Sequence, residues 1–310
     1  FTSQIFIPTD QWINLLDIQN CCFVRCSSTD DGGAIKTEWD SSNIQITSSI
    51  FDKCTAVRYG GAIFASRQID IRSTIFTQCQ SGQRGSILSL NFNAISGLYA
   101  YIIIDQILAK NNIGKEAPFD FNTSSSYCRN TNITNNQNTD HNLPDSPIQY
   151  CCAYSCIVEN NQGDAFEFIN LVGNNGDYLI DLKLANTQTF SYINVINNVN
   201  LNFFFKNYPD QTNQNLENLA FFENKVNSKS DRIKFANSDT SNKITLVNCV
   251  FEYTEHEVNL MLNSHNQIGG LFGQTIKTFI QNQLLVKPSF CVIDSDCFTA
   301  SHVFSNSGFF

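Results

Sequence analysis

Cys22-Phe23-Val24-Arg25-Cys26, Ile50-Phe51-Asp52-Lys53-Cys54 and Ile75-Phe76-Thr77-Gln78-Cys79 state one phrase three times. Each is answered by a second phrase: Gly32-Gly33-Ala34-Ile35, Gly60-Gly61-Ala62-Ile63 and Arg84-Gly85-Ser86-Ile87. In every copy a Phe precedes a Cys by three residues. Cys26, Cys54 and Cys79 follow one another at intervals of 28 and 25 residues, a period that marks solenoids and other repeat arrays. Between the copies, Asn43-Ile44-Gln45-Ile46-Thr47 and Gln68-Ile69-Asp70-Ile71-Arg72 place an apolar residue at every second position, the pattern of a half-buried strand. A repeat therefore supplies a strand around Phe, a turn, a strand at Gly-Ala-Ile and a further alternating strand. The expected fold class is all-β: a single right-handed parallel β-helix domain over 1–310, interrupted by a long loop insertion.

That geometry gives each repeated residue a task. Phe23, Phe51 and Phe76 point inward and stack in successive rungs, and Cys26, Cys54 and Cys79 form a buried ladder. Gly33, Gly61 and Gly85 allow a tight bend, after which Ile35, Ile63 and Ile87 return to the core.

Working outward, residues 1–19 read as a first turn or an N-terminal cap, and the apolar run Tyr99 to Leu108, ending in Lys110-Asn111-Asn112, reads as another rung. Residues 114–149, with Pro118, Pro144 and Pro147 and abundant Asn, Ser and Thr, read as the loop insertion. Cys151-Cys152-Ala153-Tyr154-Ser155-Cys156 reproduces the spacing of Cys21, Cys22 and Cys26 and reads as a restart of the repeat. Drifted rungs follow, among them Phe221-Phe222-Glu223-Asn224 and Cys249-Val250-Phe251-Glu252-Tyr253-Thr254, with Asn224 and Thr254 in the Cys place. Residues 285–310 read as a closing rung or cap.

Composition supports a folded, strand-rich chain: 42% hydrophobic residues, 15% charged, 26 Phe against one Met. The 39 Asn, interleaved with apolar residues, suit a turn residue required once per repeat. A net charge of -9 and only 19 Lys and Arg argue against a nucleic-acid partner. The longest apolar run, Leu98 to Ile104, is far short of a membrane span. Twelve Cys fit an oxidising compartment, and sequons at Asn122 and Asn132 offer N-glycosylation. The chain begins at Phe1 without Met, as either a processed form or a fragment would.

The Gly-Gly-Ala-Ile phrases and Phe221-Phe222-Glu223-Asn224 resemble the GGAI and FxxN repeat pair of chlamydial polymorphic membrane proteins and related protist surface proteins. Phe-x-x-Cys mostly replaces FxxN here. The resemblance implies a right-handed β-helix at a cell surface, used for adhesion or display.

Chemistry by side chain is sparse. None of the four His lies beside a Cys set, so neither a zinc cluster nor a Cys–His nucleophile is indicated. Cys21, Cys22, Cys151, Cys152, Cys291 and Cys297 are the candidate disulfide residues, with connectivity open. Asn138-Thr139-Asp140 and Arg232-Ile233-Lys234 superficially match elements of polygalacturonases, but the paired-Asp and His-Gly elements between them are missing. No catalytic, cofactor or metal residue is therefore assigned. The expectation is a non-catalytic secreted or cell-surface protein, an adhesin or structural component. Its partners would be like chains in an extracellular assembly, or a host or cell-surface glycan or protein. The alternatives are a polysaccharide lyase or glycoside hydrolase on the same fold, and a glycan-binding module without turnover.

Overall fold

A computed structural model describes residues 4–7, 15–37, 43–66, 68–91, 101–115, 117–123, 125–138, 151–158, 165–176, 178–184, 188–199, 203–207, 214–226, 233–236, 244–262, 267–274, 290–291 and 304–305. The chain winds as a parallel β-helix. One sheet orders Ile5–Ile7, Ile35–Thr37, Ile63–Ala65, Leu88–Asn91, Phe119–Thr123, Cys151–Val158, Tyr178–Leu184, Phe203–Asn207 and Lys234–Ala236 side by side. A second runs from Leu15–Gln19 through Asn43–Thr47, Ile69–Thr77, Tyr101–Lys110, Ser125–Thr134, Ala165–Val172 and Gln188–Ile196 to Gln214–Glu217 and Ile244–Phe251. The third is narrow, linking Ser27–Ser28, Thr55–Ala56, Gln80–Ser81, Ile113–Gly114 and Gln137–Asn138. These pairings are all parallel.

The corners are set by single residues with positive φ. Asn20, Ser48, Ser73, Gln106, Asn130, Phe168, Tyr192, Asn218 and Asn248 turn the second sheet midway, with φ between 49° and 58°. Arg25, Lys53, Gln78, Asn111, Asn135, Asn197 and Glu223 make the next corner. Asn accepts this conformation at lower cost than most residues, which accounts for part of the Asn bias. Gly32, Gly60 and Gly85 make the third, with φ of 63° to 64°.

The core is a set of columns. Phe23, Phe51 and Phe76 lie in register, with ring centroids 4.7 Å and 4.9 Å apart in successive stacked pairs. The same column continues through Ala109, Ile133, Leu171 and Val195 to Phe221 and Phe251, all buried. Ile18, Ile46, Ile71, Ile104, Cys128, Phe166, Phe190, Leu216 and Leu246 form a second. Ile35 and Ile63 sit in the first sheet as expected.

Register changes the third copy of the Gly phrase. Leu88, not Ile87, pairs with Ile63, so Ile87 follows Ala34 and Ala62, and Gly85 follows Gly32 and Gly60. The positive φ fixes the alignment, whereas Gly33 and Gly61 answer to a different constraint. A Cβ on Gly61 would stand 2.2 Å from the Ser86 carbonyl oxygen, so close rung approach excludes one.

The expected loop over 114–149 is instead largely coil. Phe119–Thr123, Ser125–Thr134 and Gln137–Asn138 supply one strand to each sheet, and residues 139–150 lie outside the described residues. Its strands hide because their buried positions mix apolar with polar residues: Phe119, Cys128 and Ile133 are buried there, and so are Thr131, Asn132 and Asn136. The apparent restart at Cys151 also differs. Cys151–Val158 belongs to the first sheet, where Cys156 pairs with Phe121 and Leu182, so its cysteines are not in register with Cys21, Cys22 and Cys26.

At the ends, Ile5–Ile7 and Leu15–Gln19 form the first turn. Toward the other end, a helix at Glu255–Met261 was not anticipated. Thr254 caps it with a capping box to Glu257, the S/T-x-x-E pattern that its sequence carries. Of residues 285–310, Phe290–Cys291 and Phe304–Ser305 pair antiparallel.

Candidate functional site

The repeated polar residues of the sequence face inward. Successive backbone bonds align Cys26, Cys54, Cys79, Asn112, Asn136, Asn174, Asn198 and Asn224 in a single column. Each Asn Oδ1 from Asn112 to Asn224 accepts the backbone N–H of the preceding member, at 2.8 to 3.0 Å. From Asn112 onward, Nδ2 also donates to the next Oδ1, at 2.9 to 3.1 Å. The remaining Nδ2 proton goes to a carbonyl of the preceding rung, as from Asn174 to Ile133 O at 2.9 Å. An internal member thus uses all four of its side-chain hydrogen-bonding capacities, which only a carboxamide can do here.

The thiols fill the same column with a poorer inventory. Cys54 Sγ donates to Phe23 O at 3.6 Å and Cys79 Sγ to Phe51 O at 3.5 Å. Burial pushes the Cys26 thiol up to about 11, and hydrogen bonding to Cys79 together with burial raises Cys54. Such thiols are protonated at neutral pH, so they are neither activated nucleophiles nor ready metal ligands. No group of His, Cys, Asp and Glu suited to a metal occurs among the described residues.

Cys21 and Cys22 stand as thiols, and among the described residues no cysteine is in a disulfide. Cys151, Cys152 and Cys291 fall in strands, and Cys297 lies outside the described residues. Asn132 is 2% exposed, and its Oδ1 accepts from Asn170 Nδ2, so a glycan there would displace a buried contact. Asn122 lies in the strand Phe119–Thr123.

Chemistry open to ligands concentrates outside the second sheet. Register places Arg72, Asp105, Arg129, Glu167, Ser191 and Glu217 in one row. Beside it runs the corner row of Ser73, Gln106, Asn130, Phe168, Tyr192 and Asn218. Arg72 makes a bidentate pair with Asp70 at 2.7 and 2.9 Å. Asp105, 5% exposed, accepts from Arg129 at 2.8 Å and from Asn130 Nδ2 at 2.9 Å. The carboxylates beside Arg72 and Arg129 raise both guanidinium pKa values. Arg129 also lies 5.0 Å from the Tyr127 ring centroid, a cation–π contact.

Two other polar groupings have local roles. Arg58 bridges Asp30 at 2.7 Å and Asp31 at 2.8 Å, and Lys36 pairs with Asp30, clamping neighbouring rungs. A cavity of about 340 Å³ lies between the helix and the last rungs, lined by Asn224, Val226, Ile233, Tyr253, Glu257, Leu260 and Met261. Tyr253 Oη closes part of it by donating to Asn224 O at 3.1 Å.

Sequence reasoning missed the charged row because its members sit a rung apart, spaced 24 to 38 residues along the chain, with no local motif. No family model matches the chain, no curated protein matches it, and no solved structure matches it.

Proposed function

We propose that this chain is a non-catalytic β-helix of the extracellular or cell-surface kind, an adhesin or building block whose outer faces meet other molecules. The observation that carries the reading is the pairing on the second sheet. Asp70 and Asp105 are each engaged by an arginine, an arrangement that fixes charge for recognition and does not leave a carboxylate pair poised to exchange protons with a substrate. The Phe-x-x-Cys and Gly-Gly-Ala-Ile phrases support a likeness to GGAI/FxxN surface proteins, because their residues serve rung construction and leave the faces available to diverge. Antibody labelling of intact source cells, with imaging of the native material, tests the reading. Surface signal with particles or filaments bearing the chain is expected, and purely intracellular signal would overturn it.

The glycan-enzyme alternative has one observation in its favour: Asp70, Asp105 and Glu167 share a face with Arg72 and Arg129. Assaying acidic polysaccharides for new reducing or unsaturated ends separates the two. Release that disappears in an Asp105→Asn variant with unchanged melting would favour the enzyme.

A further inference from the structure

Phe168 and Tyr192 break the rule of their corner. Every other described member of that row is Asn, Ser or Gln, yet these two aromatics adopt φ of 54° and 56°. Positive φ in a bulky residue is a genuine outlier, held only where surroundings impose it. Their rings stack with centroids 4.8 Å apart and planes 8° from parallel, and Tyr192 is 37% exposed. The aromatic stack ends at Tyr192, since the next residue in the row is the much smaller Asn218.

Carboxylates border this stack. Glu167 immediately precedes Phe168, and register carries Glu167 through Ser191 to Glu217, so the residue before each corner is acidic on either side of the Tyr192 rung. Among the described residues no cation is paired with Glu167 or Glu217, because Arg129, the neighbour of Glu167 in register, is committed to Asp105 and Tyr127.

The molecule contains a filled version of this arrangement one rung away. There an aromatic ring, Tyr127, and a carboxylate, Asp105, hold the guanidinium of Arg129 between them. The Phe168–Tyr192 stack with Glu167 and Glu217 repeats the aromatic and the acid without the cation. We propose that this step is a binding site for a guanidinium group, an arginine side chain presented by a polypeptide partner. The net charge of -9 draws such a partner toward the surface. The proposal rests on reading the coil as a display scaffold, but its test needs only the purified chain, so its failure and that of the surface assignment are distinct results.

The experiment uses the full chain and a short capped Gly/Ser peptide bearing two arginines, with lysine and citrulline counterparts, read by calorimetry at low and high salt. Binding of the arginine peptide is expected, weakened by salt, several-fold poorer for lysine and absent for citrulline. Tyr192→Asn, which installs the residue usual in this row, should weaken it about tenfold. Tyr192→Phe should retain it. Glu217→Gln and Glu167→Gln should each weaken it several-fold. Equal binding of the citrulline or lysine peptide, undiminished binding by Tyr192→Asn with an unchanged melting curve, or no binding to the parent chain at millimolar peptide would overturn the proposal. If Tyr192→Asn does not fold, the glutamate variants and the citrulline comparison decide it.

Discussion

The first three rungs and the later ones build the same column in two chemistries. Cys26, Cys54 and Cys79 send one weak thiol donor each toward a carbonyl and rely on the stacked Phe23, Phe51 and Phe76 beside them. From Asn112 to Asn224 the neighbouring core column turns mainly aliphatic, and continuous carboxamide bonding takes over. Rung stacking can thus be supplied by aromatic packing with a small apolar sulfur, or by a saturated polar ladder with lighter packing.

The contrast is most easily broken in its polar half. Asn174→Ala removes a member whose partners are all buried, leaving groups of Asn136, Asn198 and Ile133 unsatisfied, and should cost about 4 kcal/mol. Urea denaturation of the variant checks this, and a loss no larger than that of Cys54→Ala, about 2 kcal/mol, would show the two chemistries to be equivalent. A pH effect comes next. Burial raises the Cys249 thiol from 9.0 to about 11, so the folded chain keeps its proton while the unfolded chain loses it. The stability contributed by the protonated thiol is therefore full below pH 9 and falls by roughly 3 kcal/mol as pH rises to 11. Melting curves of the parent and Cys249→Ala across that window should converge at the alkaline end.

Smaller still is the effect at the junction. Cys79→Asn would extend the carboxamide ladder by one rung, donating to Asn112 Oδ1, and should raise stability by about 1 kcal/mol. A loss instead would mean that the aromatic half has no room for the wider side chain. Last, Arg72→Ala disrupts only a partly exposed ion pair with Asp70 and should change the melting midpoint little, by under about 1 kcal/mol.

This division also explains what could be read in advance. The joint recurrence of Phe, Cys and Gly at fixed spacings in the first three rungs exposed the coil, its sheet positions and the inward Cys column. The Asn ladder was camouflaged: Asn112, Asn136, Asn174 and Asn198 stand among many corner and surface Asn, and only their register distinguishes them. Asn224 was recognisable because Phe221, three residues earlier, marked its place, whereas Thr254, at the same spacing from Phe251, caps a helix instead. The segment after Gly114 looked irregular for the same reason, since a rung held by Asn136 requires little apolar patterning. Cys151, Cys152 and Cys156 misled because identical spacing occurs in a different sheet. The outer row of Arg72, Asp105, Arg129 and Glu167 left no linear trace, and Phe168 and Tyr192 were ordinary aromatics until their φ values set them apart.

The ladder also has a direction. From Asn112 to Asn198 each amide gives one N–H to the later rung and turns its oxygen to the earlier one, so these side-chain dipoles add along the coil axis. As in a helix, the summed polarity leaves a partial positive pole at one end, here at Asn224. Glu252, whose backbone N–H donates to Phe221 O, lies in the rung beyond that pole, and the acidic first turn Glu255 and Glu257 follows within the next few residues. The ladder is thus polar along the coil axis, and acidic residues follow its positive end.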